Sequence, residues 1–195
     1  MESRGKIKGS TVAAFIDWYT REVDAARLVE IVEALPEEYR SLVDVEDGRL
    51  HVLPSRWYPA EMIHTVLDAL TSDMDPDERF EFAMRAGEGA TEVLRRGVYK
   101  VLLAYLLTPS GYARIVSTLW KSNYDSGRVE NESLDLGRQR GTVHDWASHH
   151  PFLCELHVAI KASLFRAMGC DNVEVEERYC IDRGDEMCGS ILRWE

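Results

Sequence analysis

Apolar residues recur at three- and four-residue spacing through the first half of the chain, a pattern typical of amphipathic helices. The spacing predicts helices over 10–19 and 24–35, and Pro36 ends the second because proline disrupts a helix interior. Residues 1–9 are mostly polar and are expected to form an exposed start. Residues 43–54 predict either a short hairpin or an irregular loop, and the pattern leaves both open.

Two further helices are predicted to begin at prolines, which are favoured in the first turn of a helix. One begins at Pro59 and the other at Pro76, where acidic residues follow at the positive end of the helix dipole. The second helix then meets a glycine pair, Gly87 and Gly89, which predicts a bend or a break.

The second half of the chain changes to strands around one helix. Weak alternation over 123–140 predicts two strands, and Pro151 begins a helix that Gly169 ends. Two later strands are predicted at 173–176 and 188–194. The fold class is therefore α+β, with a helical N-terminal half packed on a small antiparallel sheet in β-β-α-β-β order, in a single domain over the whole chain.

Composition and charge narrow the class of protein. Of 195 residues, 45% are apolar and 29% are charged, which suffices for a buried core and argues against disorder. The formal net charge of -11 argues against nucleic acid or an anionic membrane surface as partner. No apolar run reaches the roughly 20 residues of a membrane span. No signal sequence follows the charged N-terminus, so we expect a cytoplasmic location.

Three cysteines and a glutamate near the C-terminus form the strongest candidate site. Gly184 lies between Cys180 and Cys188 and permits a tight hairpin turn that brings the two cysteines together. Cysteines in a reducing compartment are typically reduced or metal-bound. We predict one structural zinc ion, because zinc prefers four ligands in a tetrahedron. The predicted ligands are Cys154, Glu177, Cys180 and Cys188.

This ligand set imposes a geometric condition. Glu177 and Cys180 would face opposite sides of a straight strand, so the chain must bulge or turn near Arg178 for both to reach one ion. Buried cysteines beside a solvated acidic strand are the alternative, and on spacing alone the more common arrangement. Cys170 is separated from Cys154 by about 24 Å of helix and is interpreted as a small hydrophobe.

The same segment resembles the V4R (4-vinyl reductase) domain, most closely the sensor domains of bacterial activators that bind phenol-like aromatics. The shared pattern lies in residues 150–195 and consists of Cys154, Glu177-x-x-Cys180 and Cys188. The resemblance implies a structural zinc ion on these four positions. It also implies a helix-wrapped pocket over a small sheet and a dimer formed through the N-terminal region.

The candidate pocket residues are aromatic. Trp120 stands for the tryptophan that hydrogen-bonds a phenolic hydroxyl in the V4R domains, and Tyr99 and Tyr105 are further candidates for a cavity wall. The helix over 92–106 lacks the histidine that the family has there. The ligand is therefore expected to be a small apolar or aromatic molecule, without a firm assignment as a phenol.

A second resemblance is to the H-NOX haem-binding gas sensors. Tyr124-x-Ser126-x-Arg128 matches the motif in which that family holds the haem propionates, and an arginine pairs well with a carboxylate while hydroxyls add donors. The resemblance implies haem as an alternative cofactor. The iron-ligating histidine of the family lies on the helix before this motif, but this sequence has no histidine between His64 and His144.

The leading hypothesis is a sensory or signalling module that binds a small molecule and acts through a protein partner or a homodimer. The alternatives are a haem-based gas sensor, a scaffold of the same fold and an enzyme acting on a tetrapyrrole vinyl group. No phosphate loop, nucleophile elbow or His-Glu-x-x-His motif occurs, so no catalytic residue is assigned and an enzyme is the less favoured class. His149 and His150 are interpreted as exposed loop residues.

Overall fold

The N-terminal half is helical, as its apolar spacing predicts. The computed structural model describes residues 5–92 and 108–195. A five-residue π-helical turn, Thr20–Asp24, joins the first two helices. The helices of this half are α1 (Gly9–Tyr19), α2 (Ala25–Glu33), α3 (Glu37–Arg40), α4 (Ala60–Thr71) and α5 (Pro76–Thr91).

The start of the chain is only partly exposed over its described residues: Lys6 is exposed as predicted, but Ile7 and Gly9 are buried, which corrects the prediction of an exposed start at those two positions. Strand β1 (Lys6–Lys8) pairs antiparallel with a later short strand, Trp57–Pro59. Ile7 lies opposite Tyr58, and both side chains are fully buried. Alternation over three residues places one side chain inward and two outward, so one isoleucine between lysines suffices to anchor this strand.

The segment over 43–54 contains a hairpin, which decides between the two alternatives that the sequence left open. Strands β2 (Asp44–Glu46) and β3 (Arg49–His51) pair antiparallel across a two-residue turn. Asp47 and Gly48 in this turn have φ values of 51° and 69°, as two-residue hairpin turns of the right twist require. Trp57–Pro59 is β4.

The C-terminal half has the predicted β-β-α-β-β order after one more helix. The four strands form one antiparallel sheet in the order β5-β6-β8-β7, so the α+β class is confirmed. The elements are α6 (Pro109–Asn123), β5 (Arg128–Asp135), β6 (Arg138–His144), α7 (Pro151–Ala167), β7 (Glu174–Tyr179) and β8 (Cys188–Arg193).

The glycine pair in α5 marks a close contact between helices and no break within the described part of that helix. A Cβ atom on Gly87 would lie 2.6 Å from the Cβ of Ala159 in α7, and one on Gly89 would lie 1.9 Å from the ring of Trp18. Helix α5 remains regular through both positions to Thr91. The glycines therefore allow backbone approach, which spacing alone does not distinguish from a bend.

Helix α7 lies at the centre of the molecule, between α5 and the sheet. Its N-terminal part, with Phe152, Leu153 and Leu156, belongs to the main apolar core together with α1, α4 and α5. Its C-terminal part, with Phe165, packs beside Leu192 of β8 in a second cluster. Helix α7 therefore connects the two apolar clusters, and it carries residues of the site described below. Among the helices of the described residues, none is both long and apolar enough to cross a membrane.

Candidate metal centre and adjoining cavity

Four side chains that are typical metal ligands converge where α7 begins. They are His149, Cys154, Cys180 and Cys188, and one ligand atom from each lies within 4.8 Å of all the others. The three cysteines are buried and His149 is half-buried. Three of the four residues predicted from the spacing of cysteines are therefore together, and the structure supplies a histidine as the fourth.

Local structure explains how two of these side chains are placed at the start of α7. His149 precedes the helix, and its backbone N–H donates to the carbonyl of Trp146 at 3.2 Å. Pro151 occupies the first helical turn, where a backbone N–H would have no acceptor within the helix, so its absence costs no hydrogen bond. Cys154 follows one turn into the helix, its N–H donating to the carbonyl of His150 at 3.0 Å. The imidazole and the first thiol are thus presented from the same helix end.

The β7–β8 connection contributes the other two ligands. Cys180 follows β7 in an extended conformation, and its N–H donates to the carboxylate of Asp185 at 2.7 Å. A 3-10 turn, Ile181–Arg183, and Gly184 with a φ of 89° then reverse the chain. Cys188 opens β8 opposite Val143. The predicted role of Gly184 in a tight reversal is borne out by its positive φ.

Glu177 is not part of this cluster. Its side chain is exposed and accepts a hydrogen bond from the hydroxyl of Tyr179 on the same face of β7. The strand is irregular between Val175 and Glu177 but pairs regularly with β8 from Glu177 to Tyr179. Since the irregularity precedes Glu177, it does not turn that carboxylate towards Cys180, and the condition stated for the predicted ligand set is not met.

The observed spacing is that of ligands around one small cation. Nε2 of His149 lies 3.5 Å from Sγ of Cys180. A nitrogen at about 2.1 Å and a sulfur at about 2.3 Å from a tetrahedral zinc ion would lie about 3.6 Å apart. Three cysteines and one histidine form one of the sets that structural zinc sites use. The arrangement is therefore suited to zinc without rearrangement of the backbone.

The close spacing of these groups shifts their pKa values in opposite directions. Burial lowers the pKa of His149, but hydrogen bonds and charge from Cys180 and Cys188 outweigh burial and raise it to about 9. Hydrogen bonds with Cys180 and Cys188, together with burial, raise the pKa of Cys154. Hydrogen bonds from Cys154 and Cys188 lower the pKa of Cys180. The thiolate is the form that binds metal, and Cys180 is the residue held in that form.

A cavity of about 80 Å³ adjoins the cluster, between α6, α7 and the inner face of the sheet. Cys154 and Cys188 of the candidate metal cluster contribute to its wall, and so does Lys161. Its remaining lining is largely apolar and includes Tyr112, Val116, Trp120, Val129, Val143, Trp146, His157 and Val158. A second cavity of about 290 Å³ lies between α1, α5, α6 and α7 and shares Trp120 and His157 with the first.

An aromatic cluster forms the wall that the two cavities share. Trp120 stacks on Tyr124 with ring centroids 4.3 Å apart, and Trp146 packs edge-on against both. The hydroxyl of Tyr124 lies 2.6 Å from Nε2 of His157. Burial raises the pKa of Tyr124 and lowers that of His157 to about 4. The tyrosine therefore donates its proton to a neutral imidazole.

The predicted pocket residues have different outcomes. Trp120 lines both cavities, but its indole N–H donates to the carbonyl of Ser126 at 2.8 Å and is not free to bind a ligand. Tyr99 and Tyr105 lie outside the described residues. The contribution of Trp120 is therefore a ring surface, which differs from the hydrogen-bonding role that the V4R resemblance implies.

Solved structures share the fold of nearly the whole chain, although no family model and no curated protein matches its sequence. A point mutant of the H-NOX protein from K. algicida, Fe(II) unliganded, matches with a TM-score of 0.67 at 14% identity, over 97% of each chain. The S. oneidensis H-NOX protein in its Fe(II)NO state matches with 0.61 at 10% identity, over 97% of this chain and 99% of that chain. The chain has the H-NOX fold.

A third H-NOX structure extends the comparison to a different ligand state. An oxygen-binding H-NOX domain related to soluble guanylate cyclases, in its oxygen complex, matches with a TM-score of 0.60 at 8% identity. The match covers 97% of this chain and 95% of that one. The resemblance to H-NOX proteins is thus supported at the level of the fold, whereas no comparison shows a V4R domain.

The described residues do not present the haem ligands that the H-NOX resemblance implies. Tyr124 is bonded to His157, and the hydroxyl of Ser126 accepts from the N–H of Ala147 at 3.2 Å. Arg128 is exposed and pairs with Glu130. The three side chains expected to hold the propionates thus have other partners, and the sequence has no histidine on the helix before the motif.

Two functional candidates, His149 and Lys161, are not predicted from the sequence. His149 lies five residues before Cys154 and close to the proline that begins α7, but it is half-buried in the cluster and not exposed as predicted. Lys161 lies within the apolar stripe of α7, where a charged residue is unexpected. Each residue is of a type that is unusual at its position in the sequence. Its role depends on which elements pack beside it.

Proposed function

We propose that this chain is a small-molecule-sensing signalling module on the H-NOX fold, with a structural zinc ion. The proposed ligands are His149, Cys154, Cys180 and Cys188. The observation that carries the proposal is that Cys154 and Cys188 also line the cavity between α6, α7 and the sheet. A ligand in this cavity would therefore contact α7 and β8, which are elements that the ion would join.

The proposed role of zinc is structural. All four positions belong to the protein, so no coordination site is left for a reactive water. The ion would tie the start of α7 to the β7–β8 turn and contribute its binding free energy to folding. A ligand in the cavity would then act against a fixed wall. The signal would pass to a protein partner or a second copy of the chain.

Metal analysis of two cysteine variants tests this proposal. The purified parent protein is expected to contain one zinc ion per chain. Cys188→Ser should lose the zinc and lower the melting temperature strongly, because the site contributes to folding. Cys170→Ser is the matched control, since Cys170 packs in a separate cluster near the end of α7. Unchanged zinc content in Cys188→Ser, or loss of zinc in Cys170→Ser, would refute the ligand set.

A haem-based sensor is the second candidate, and the observation that favours it is the fold shared with Fe(II) and oxygen-bound H-NOX proteins. Addition of haemin to the purified protein, followed by absorption spectroscopy, separates the two candidates. The partners found for Tyr124, Ser126 and Arg128 lead us to expect no sharp Soret band. A stoichiometric band that weakens in His157→Ala would instead support haem bound through that buried imidazole.

A further inference from the structure

We infer that the 80 Å³ cavity binds a short-chain carboxylate, whose anionic group pairs with the buried amine of Lys161. This inference deepens the proposed function by naming the class of ligand, and it rests on the proposal that this cavity is the sensing site. It depends on three features of the described residues. They are an unpaired buried amine, an unpaired amide oxygen beside it and a small apolar chamber in front of both.

Lys161 is buried without a partner. It is 7% exposed, and its Nζ atom has no hydrogen-bond partner among the described residues. Its Nζ atom lies over the ring of Phe165, 5.5 Å from the centroid. A fully buried lysine is rare unless it is paired, because removing an ammonium group from water is costly. The position therefore requires either a neutral amine or a counter-ion from outside the protein.

The described residues provide no such counter-ion around the cavity. None of those that line it is an aspartate or a glutamate. Burial alone lowers the pKa of Lys161 to about 7, with no contribution from a neighbouring charge. The other ionisable groups that face the chamber are His157, which is neutral, and the thiols of the metal cluster with Tyr112. An anionic ligand would supply the missing charge and hold the amine protonated.

A second polar atom beside the amine is also unsatisfied. Oδ1 of Asn131 on β5 is buried and has no partner among the described residues. Gly141 of β6 lies beneath both atoms: a Cβ there would lie 2.8 Å from Nζ of Lys161 and 3.0 Å from Oδ1 of Asn131. The glycine keeps this place open. A hydroxyl beside the carboxylate of the ligand would give Asn131 its donor while the carboxylate contacts Lys161.

The size and walls of the chamber limit the rest of the ligand. A volume of about 80 Å³ accommodates on the order of five to eight water-sized groups. Val116, Trp120, Val129 and Trp146 supply apolar wall around the polar pair. A ligand of two to four carbons with one carboxylate matches both the charge and the volume. A bulky aromatic acid does not.

Binding of defined carboxylates to zinc-loaded protein tests the inference. Isothermal titration calorimetry would use sodium acetate, propionate and lactate, with propionamide as the neutral analogue, at one ionic strength kept constant with sodium chloride. We expect the carboxylates to bind, lactate most tightly, and propionamide to bind at least tenfold more weakly. Lys161→Met should weaken carboxylate binding at least tenfold. This variant is expected to fold, because it replaces an unpaired buried amine with an apolar chain of similar length.

A second variant and a second probe keep the outcomes distinct. Gly141→Ala retains the amine but fills the place beneath it, so it should also weaken carboxylate binding. Equal binding of propionate and propionamide, or full affinity in Lys161→Met, would overturn the role of Lys161. Binding of phenol without binding of any carboxylate would overturn the ligand class and leave the sensing module standing. Binding of neither probe by zinc-loaded protein would overturn the cavity as a ligand site altogether.

Discussion

At the scale of single residues, His149 is the decisive member of the metal cluster. Its Nε2 lies 3.5 Å from Sγ of Cys180, which is the separation of two ligands on one zinc ion. We predict that His149→Ala weakens zinc binding by more than about tenfold, because removal of one ligand leaves an open coordination position. Competition with a chromogenic zinc chelator measures this affinity.

Glu177→Gln is the matched control for that measurement. The carboxylate of Glu177 is exposed and hydrogen-bonded to Tyr179. The zinc affinity of the Glu177→Gln variant should therefore equal that of the parent protein. If Glu177→Gln loses zinc while His149→Ala keeps it, the hairpin must rearrange on metal binding. The ligand set predicted from sequence spacing would then be the right one.

His157 should make the stability of the protein depend on pH. Burial lowers its folded-state pKa to about 4, whereas an unfolded histidine titrates near 6.5. Between these values only the unfolded chain binds the proton. The free energy of unfolding from this residue is therefore fully present above pH 6.5 and falls by on the order of 3 kcal/mol as the pH drops to 4. Chemical denaturation at several pH values measures this slope.

The variant His157→Gln isolates this contribution. It removes the titrating group and keeps polar atoms that Tyr124 can contact. Acid also releases zinc from thiolates, so the informative quantity is the difference between parent and variant at each pH. Parallel stability curves for the two proteins between pH 4 and 6.5 would show that the imidazole is not buried in its neutral form.

At the scale of elements, the contact between α5 and α7 depends on Gly87. Replacement of glycine by alanine in a helix normally stabilises it by roughly 0.5–1 kcal/mol. Here a Cβ would lie 2.6 Å from the Cβ and 2.8 Å from the carbonyl carbon of Ala159. We predict that Gly87→Ala instead destabilises the protein by about 1–3 kcal/mol, as overpacking does. Urea denaturation would measure the change.

Glu81→Ala provides the control on the same helix, since Glu81 lies on its exposed side. This change should alter the free energy of unfolding by less than about 0.5 kcal/mol. A stabilised Gly87→Ala variant would mean that α5 and α7 can separate at little cost. The contact between α5 and α7 would then act as a hinge, and it would not hold α7 in place beside the cavity.

At the scale of the whole molecule, the proposed zinc ion joins the first turn of α7 to the β7–β8 hairpin. We predict that chelation of zinc increases hydrogen exchange in the β7–β8 hairpin and the first turn of α7. Helices α1, α4 and α5 should change much less, because their core includes many buried residues away from the site. Exchange measured by mass spectrometry with and without chelator gives this map. Uniform loss of protection would show that zinc supports the entire fold.

The local elements of this protein follow closely from its sequence. The helices at Pro76 and Pro151 begin where the prolines predict, and the structure adds a cap formed by Asp75 with Glu78. The reversal at Gly184 and the β-β-α-β-β order of elements along the C-terminal half also follow. Each of these features is determined by residues close in the chain, through backbone conformation, capping and the period of apolar side chains.

The tertiary structure decided most of what joins residues far apart. The sequence determined that Cys154, Cys180 and Cys188 belong together, but only packing placed His149 beside them and turned Glu177 outward. It likewise decided that Gly87 is a helix contact and that Lys161 faces a chamber. Spacing along a chain fixes which face of an element a side chain occupies, whereas the neighbour across that face depends on how the elements dock. That docking gives the chain its H-NOX fold and its distinct set of site residues.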